Sequence, residues 1–233
     1  MRLKLLLALC CLPLSFITDV AQASPRTVES VLLAYGPDAR SRLAPYFADL
    51  PHAFMPQAAK LIAIKQTKVL EIWLQDQDQT WHHLRQYPIE RASGSLRPKM
   101  RQGDLQVPEG IYRLDAANPN SRFHLSLRID YPNELDRKYG ALEQRDNLGG
   151  NIFIHGSNVS TGCLALGDSA IEELFVLAHD IGLENIEVVI SPSDPRILPL
   201  KRPRDLPDWV ELKYAKIENS MAELKQGNTA MRY

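Results

Sequence analysis

Residues Ile152–Leu164 read IFIHGSNVSTGCL, and the rest of the chain takes its meaning from them. An apolar run delivers His155, a turn-rich stretch of Gly, Ser, Asn and Thr follows, and Gly162 leads into Cys163. A thiol is a strong nucleophile only as its thiolate, which a neighbouring base must generate. Cys163 is therefore the candidate nucleophile, and His155 the candidate general base and later acid. As imidazolium, His155 would hold the thiolate in an ion pair and lower the cysteine pKa. The N–H groups of Gly162 and Cys163 are the natural donors to an oxyanion. Gly156, Ser157, Ser160 and Thr161 are candidates for binding substrate or shaping the site. Ser160 is free to bond the thiol, the substrate or its own turn.

Plainer alternatives stand beside these. A free cysteine can be a small buried hydrophobe, and a strand-end histidine can simply bond a backbone carbonyl. Structural zinc wants four ligands at paired spacing, and the six histidines are scattered without it. His82-His83 and His124 sit in strand-like runs and read as structural. The basic loop Arg85–Arg101 reads as a solvated charged face before it reads as a carboxylate-binding one.

The amino terminus carries an export pattern. Arg2 and Lys4 precede an apolar core at Leu5–Ile17, and Ala21-Gln22-Ala23 offers a small-x-small cleavage site. The apolar core falls short of the roughly 20 residues a spanning helix needs, so the chain is not expected to span a membrane. Removal of residues 1–23 takes Cys10 and Cys11 with it. Cys163 then stands alone and has no partner for an internal disulfide in an oxidising compartment. The expected location is the periplasm. With 27 basic and 28 acidic residues the net charge is −1, which gives no long-range pull toward nucleic acid or anionic lipid.

Hydrophobic spacing predicts helix over residues 27–50, broken at Gly36-Pro37 into a hairpin. From residue 60 the period changes to two. Leu61–Lys65, Val69–Gln75 and Thr80–Ile89 read as a strand meander, with a turn at Gln66-Thr67-Lys68. Residues 91–110, with five glycines and prolines, read as a long loop. Ile111–Leu114, Phe123–Ile129 and Asn151–His155 read as strands, and Tyr131–Gly150 as a surface loop. Asp168 is expected to cap a helix that runs to Ile181 and ends at Gly182. Ile186–Ile190 is a last strand, and Trp209–Leu224 an amphipathic helix. The organisation is a leader over 1–23, an N-terminal helical segment over 24–57, a catalytic domain over 58–191, and a Pro-rich basic tail with a C-terminal helix over 192–233. The class is mostly β with one inserted helix and helical extensions at both ends.

The segment IHGSNVSTGCLAL resembles the signature of the L,D-transpeptidases with a YkuD-like catalytic domain. KMRQGDLQVPEGIY (Lys99–Tyr112) resembles that family's Gly-Asp-x-x-x-Pro-Glu-Gly-x-Tyr element. NPNSRFHLSLRIDYPN (Asn118–Asn133) resembles a smaller subgroup that includes an amidase releasing a covalently anchored lipoprotein from peptidoglycan. The likeness covers roughly residues 60–190. It implies a β-sandwich-like catalytic domain acting on peptidoglycan stem peptides through a Cys163 thioester, with no metal or organic cofactor; the charge balance adds the expectation of no nucleic-acid partner. An amine of another stem peptide, or water, would take the acyl group. The loop from His155 to Cys163 is shorter than usual, Thr161 stands where a second histidine is common, and Ala165 where Asn or Arg is usual. These departures reshape the acceptor pocket, leaving a transpeptidase, a lipoprotein-releasing amidase and an inactive wall-binding module as the readings to separate.

Overall fold

The period-two runs assemble into one curled nine-stranded sheet in a computed structural model describing residues 24–51 and 54–224. The expected leader over 1–23 lies outside the described residues. In chain order the elements are α1 (Val28–Ala48), β1 (Ala58–Ile64), β2 (Val69–Gln75), β3 (Trp81–Pro88), β4 (Arg91–Ala92), β5 (Gly110–Asn118) and β6 (Ser126–Ile129). They continue with α2 (Glu134–Leu142), β7 (Phe153–His155), β8 (Leu164–Ala165), α3 (Asp168–Ile181), β9 (Ile186–Ser191) and α4 (Trp209–Ala222). The sheet runs β3-β2-β1-β9-β5-β6-β7-β8-β4. Its pairs are antiparallel except β1 with β9 and β7 with β8.

Alternation along β1 explains both layers around the sheet. Leu61 and Ala63 join the core shared with α1 and α3, whereas Ile62 and Ile64 face the opposite way with Trp73, Val189 and the apolar side of α4. A strand covered on both faces reads as a continuous apolar run, as Leu61–Ile64 does.

Three expectations change. The predicted N-terminal hairpin is one 21-residue helix with Pro37 and Pro45 inside it. A proline inside a helix removes one hydrogen bond, but tertiary contacts hold the second half in place. Ala39 and Leu43 are buried, Arg40 pairs with Asp180 on α3 at 2.7 Å, and Arg42 reaches both Glu172 and Glu173. The predicted surface loop 131–150 contains α2, started by a reciprocal capping pair between Asn133 and Asp136. Asp168 is not the cap of α3. That position belongs to Gly167, and Asp168 opens the helix with its carboxylate turned to another use.

A buried ion pair to α2 and buried hydrogen bonds to β5 and the residue before it fasten α4 in place. Lys213 binds Asp136 and the Tyr112 hydroxyl, while Tyr214 donates to Glu109 at 2.7 Å, which also pairs with Lys65 at 2.8 Å. The Pro-Glu-Gly-x-Tyr stretch at 108–112 is therefore an anchor: Glu109 is fully buried and Tyr112 donates to its carbonyl.

Candidate active site

Strand pairing brings His155 and Cys163 to one face. β7 lies between β6 and β8, with His155 opposite Ser126 on one side and Ala165 on the other. Ile152, Ile154, Leu164 and Leu166 point into the core. By the alternation of a strand, Phe153, His155, Cys163 and Ala165 share the opposite face. In the parallel β7–β8 register Ile154 pairs with Leu164, so Cys163 falls beside Phe153, diagonal to His155. Sequence separation alone did not reveal this placement, because strands of three and two residues give almost no periodic signal.

His155 is 1% exposed, and its Nδ1 lies 2.6 Å from the Gly156 carbonyl oxygen. A carbonyl only accepts, so Nδ1 carries the proton and Nε2 keeps its lone pair. The plain alternative for this histidine, a bond to a backbone carbonyl, is thus present. It leaves the other ring nitrogen as a base. The Phe123 ring stacks on the imidazole, with centroids 4.6 Å apart and 28° between planes.

Cys163 is half-buried, its Sγ 3.9 Å from the Asn151 carbonyl oxygen. Among the described residues no hydrogen bond joins it to His155. Burial raises the thiol pKa, opposed by the Phe153 N–H group and the Lys99 ammonium. Burial likewise lowers the His155 pKa, partly offset by the Gly156 carbonyl. Both shifts favour neutral thiol and neutral imidazole over the expected ion pair. Iodoacetamide labelling of Cys163 should accordingly reach half its maximal rate at a pH above that of an ordinary thiol. A rate already saturated below pH 7 would show a resting ion pair instead.

The expected oxyanion donors are occupied. The Gly162 N–H donates to Ser93 Oγ at 2.5 Å, and the Cys163 N–H to Ser160 Oγ at 3.1 Å. Ser160 also donates to the Cys163 carbonyl at 2.6 Å, so its role here is to hold the turn. Two serine hydroxyls stand where a substrate oxygen would seek N–H groups. Gly162 has a φ of +103°, a conformation that favours glycine. Thr161 is exposed, and Ser157 takes a left-handed φ of 61° while its N–H donates to Asp168 Oδ1 at 2.7 Å.

Asp168 therefore ties the start of α3 to the turn between His155 and Cys163. Gly156 fills the gap beneath this tie. A Cβ there would lie 2.6 Å from Asp168 Oδ1 and 2.7 Å from the Phe123 carbonyl oxygen. Gly156→Ala should cost about 1–3 kcal/mol through overpacking and lower the melting temperature; an unchanged melting temperature would mean the turn has room.

The motif at 99–112 has a local explanation as well. Asp104 accepts from the N–H groups of Met100, Arg101 and Gln106 and pairs with Lys99 at 2.6 Å. The expected solvated face thus includes a buried cation, Lys99, near the thiol, and Arg85 is half-buried against Glu173. Ser93, Lys99, Phe123 and Asp168 were missed as site residues. They become visible only when the loops that hold Ser93, Lys99 and Phe123, and the start of α3 with Asp168, fold onto the β7–β8 edge. The histidines read as structural do have protein partners: His82 bonds Asp76 at 2.7 Å, and His124 bonds Glu172 at 2.9 Å. Among the described residues no cluster of three or more His, Cys, Asp or Glu is placed to hold a metal, and no helix is long and apolar enough to cross a membrane.

The YkuD family profile, described as L,D-transpeptidase catalytic domain, matches residues 60–190, and the chain belongs to that family. It is 29% identical over 192 residues to the curated protein "Putative L,D-transpeptidase YafK" of Escherichia coli (strain K12), covering 80% of this chain and 72% of that one. The same values hold for its counterpart in Escherichia coli O157:H7. Among solved structures, the helical cell shape determining protein Pgp2 of Campylobacter jejuni aligns at 22% identity with a TM-score of 0.49. That alignment covers 65% of this chain and 55% of Pgp2, so the chain spans little more than half of that relative. Bd1075 of Bdellovibrio bacteriovorus aligns at 18% identity with a TM-score of 0.42, over 74% of this chain and 60% of that one.

Proposed function

We propose that the protein is an exported, cysteine-dependent L,D-transpeptidase-type enzyme that acts on peptidoglycan stem peptides from the periplasm. Membership of the family supports a peptidoglycan-related function. The observation that carries the rest is the shared face of His155 and Cys163, with Nδ1 of the imidazole committed to Gly156 and Nε2 unprotonated.

In this reading Cys163 Sγ attacks a stem-peptide carbonyl carbon and its proton passes to His155 Nε2. Collapse of the tetrahedral species breaks the C–N bond, and His155 returns the proton to the departing amine. A thioester remains on Cys163. An incoming amine or water then gives its proton to His155, adds to the thioester carbonyl and expels the sulfur, which regains its proton. Oxyanion stabilisation requires Ser93 or Ser160 to release an N–H group, or the hydroxyls themselves to turn toward the oxyanion. The stepwise protonation requires no ion pair in the resting enzyme.

The test is mass spectrometry of the products formed from bare and lipoprotein-bound peptidoglycan, beside a Cys163→Ala control. New cross-links or amino-acid exchange lost in the control would establish transfer. Cysteine-dependent release of lipoprotein or trimmed stems without new bonds would establish the amidase of the same fold. No cysteine-dependent change with either substrate would overturn the enzymatic reading and leave a wall-binding module.

A further inference from the structure

The N-terminal helix lies outside the span shared with the family, yet it reaches the site through two residues. Phe123, whose ring covers the His155 imidazole, is followed by His124 in a left-handed conformation with φ of 70°. A non-glycine residue persists in that region only when its surroundings hold it there. Three groups do so. Glu172 Oε1 lies 2.9 Å from His124 Nε2, the Tyr35 ring of α1 meets the His124 ring edge-on at 5.0 Å, and Arg26 donates to the His124 carbonyl at 2.7 Å.

Two of the holders are themselves fixed. Arg42 of α1 pairs with Glu172 at 2.9 Å. The Arg26 main chain exchanges two hydrogen bonds with the Asn120 side chain, at 2.8 and 2.7 Å. On the other side of the turn, the Phe123 carbonyl rests where any Cβ on Gly156 would have to stand. The segment preceding β6 is therefore pinned from the N-terminal region and pressed against the residue that accepts the His155 Nδ1 proton.

We infer that His124 and Phe123 are positioning residues for His155, and that Arg26 and Tyr35 make the N-terminal segment part of the catalytic apparatus. Phe123 fixes the plane of the imidazole, so Nδ1 stays on Gly156 and Nε2 keeps a single orientation. His124 acts at one remove, by holding Phe123 in place. The inference rests on His155 being the base proposed above, and its test separates the two.

The experiment uses the full chain with 15N-labelled histidine, the His155 ring signals being assigned by their loss in His155→Gln. The parent should show a single Nδ1-protonated tautomer. Phe123→Ala and His124→Gly, the latter keeping the left-handed backbone without its ring, should give tautomer mixtures or exchange-broadened signals at an unchanged melting temperature. Phe123→Leu preserves apolar cover and keeps the test valid should Phe123→Ala fail to fold. Turnover should fall about 10- to 100-fold through kcat with KM little changed, as expected for a displaced reacting group. His124→Asn, which tolerates the backbone and retains a donor for Glu172, should restore most of it. Unaltered His155 signals in both variants would overturn the inference whatever the activity. Absence of any cysteine-dependent activity in the parent would overturn the proposed function while leaving the NMR result to decide the positioning role.

Discussion

Replacing His155 with alanine should lower turnover by about 10²- to 10⁴-fold, the usual contribution of a positioned general base, while Cys163→Ala should remove it altogether. The asymmetry follows from chemistry. Without Cys163 no thioester forms, whereas without His155 a small thiolate fraction still attacks. That fraction is small because burial holds the Cys163 pKa up, so the His155→Ala variant should regain rate as pH rises through the thiol range. The parent, using Nε2 as acceptor, should depend on pH much less steeply over the same interval. Stopped assays from neutral pH up through the thiol range check both. Equal pH slopes in parent and variant would mean that His155 takes no proton.

Ending the chain before Pro207 should prevent stable folding. α4 and the residue pair beyond it bury Val210, Tyr214, Ile217, Met221 and Leu224, each no more than 3% exposed. At about 1.5–3 kcal/mol per buried apolar side chain, their loss approaches the roughly 5–15 kcal/mol that holds a typical domain together. Truncation also takes Lys213 from Asp136 and Tyr214 from Glu109. In the full chain, Lys213→Met isolates the second effect. It leaves the Asp136 carboxylate buried without its cation and should cost about 3–5 kcal/mol. Thermal denaturation measures each: a truncated chain melting with the parent would contradict the packing of α4.

Legibility in the sequence tracked the strength of local signals. Val69–Gln75 announced its strand by composition, and its predicted turn is present, with Lys68 at a left-handed φ of 55°. α3 was legible because its apolar stripe is long and Gly182 stops it. Pro37 misled, since a local helix breaker was overruled by ion pairs to a helix more than 120 residues away. α2 had a signal in Asn133 and Asp136 at capping spacing, hidden by the polarity of the helix itself. Within the site, the candidate nucleophile and base were suggested by residue type and spacing. Their shared face depends on a three-residue strand beside a two-residue strand. Burial, which the sequence does not display, acts on both partners of the expected ion pair against charge. The occupied N–H groups were likewise out of reach, because Ser93 comes to Gly162 across 69 residues.

The most direct test of covalent catalysis is rapid acid quenching of the full-length protein during turnover of stem-peptide fragments, with intact mass measurement and peptide mapping of the quenched chain. Attack by Cys163 predicts an added acyl mass on the peptide containing that residue, absent from Cys163→Ala, together with complete loss of product in that variant. Product formation by Cys163→Ala at the parental rate would contradict it.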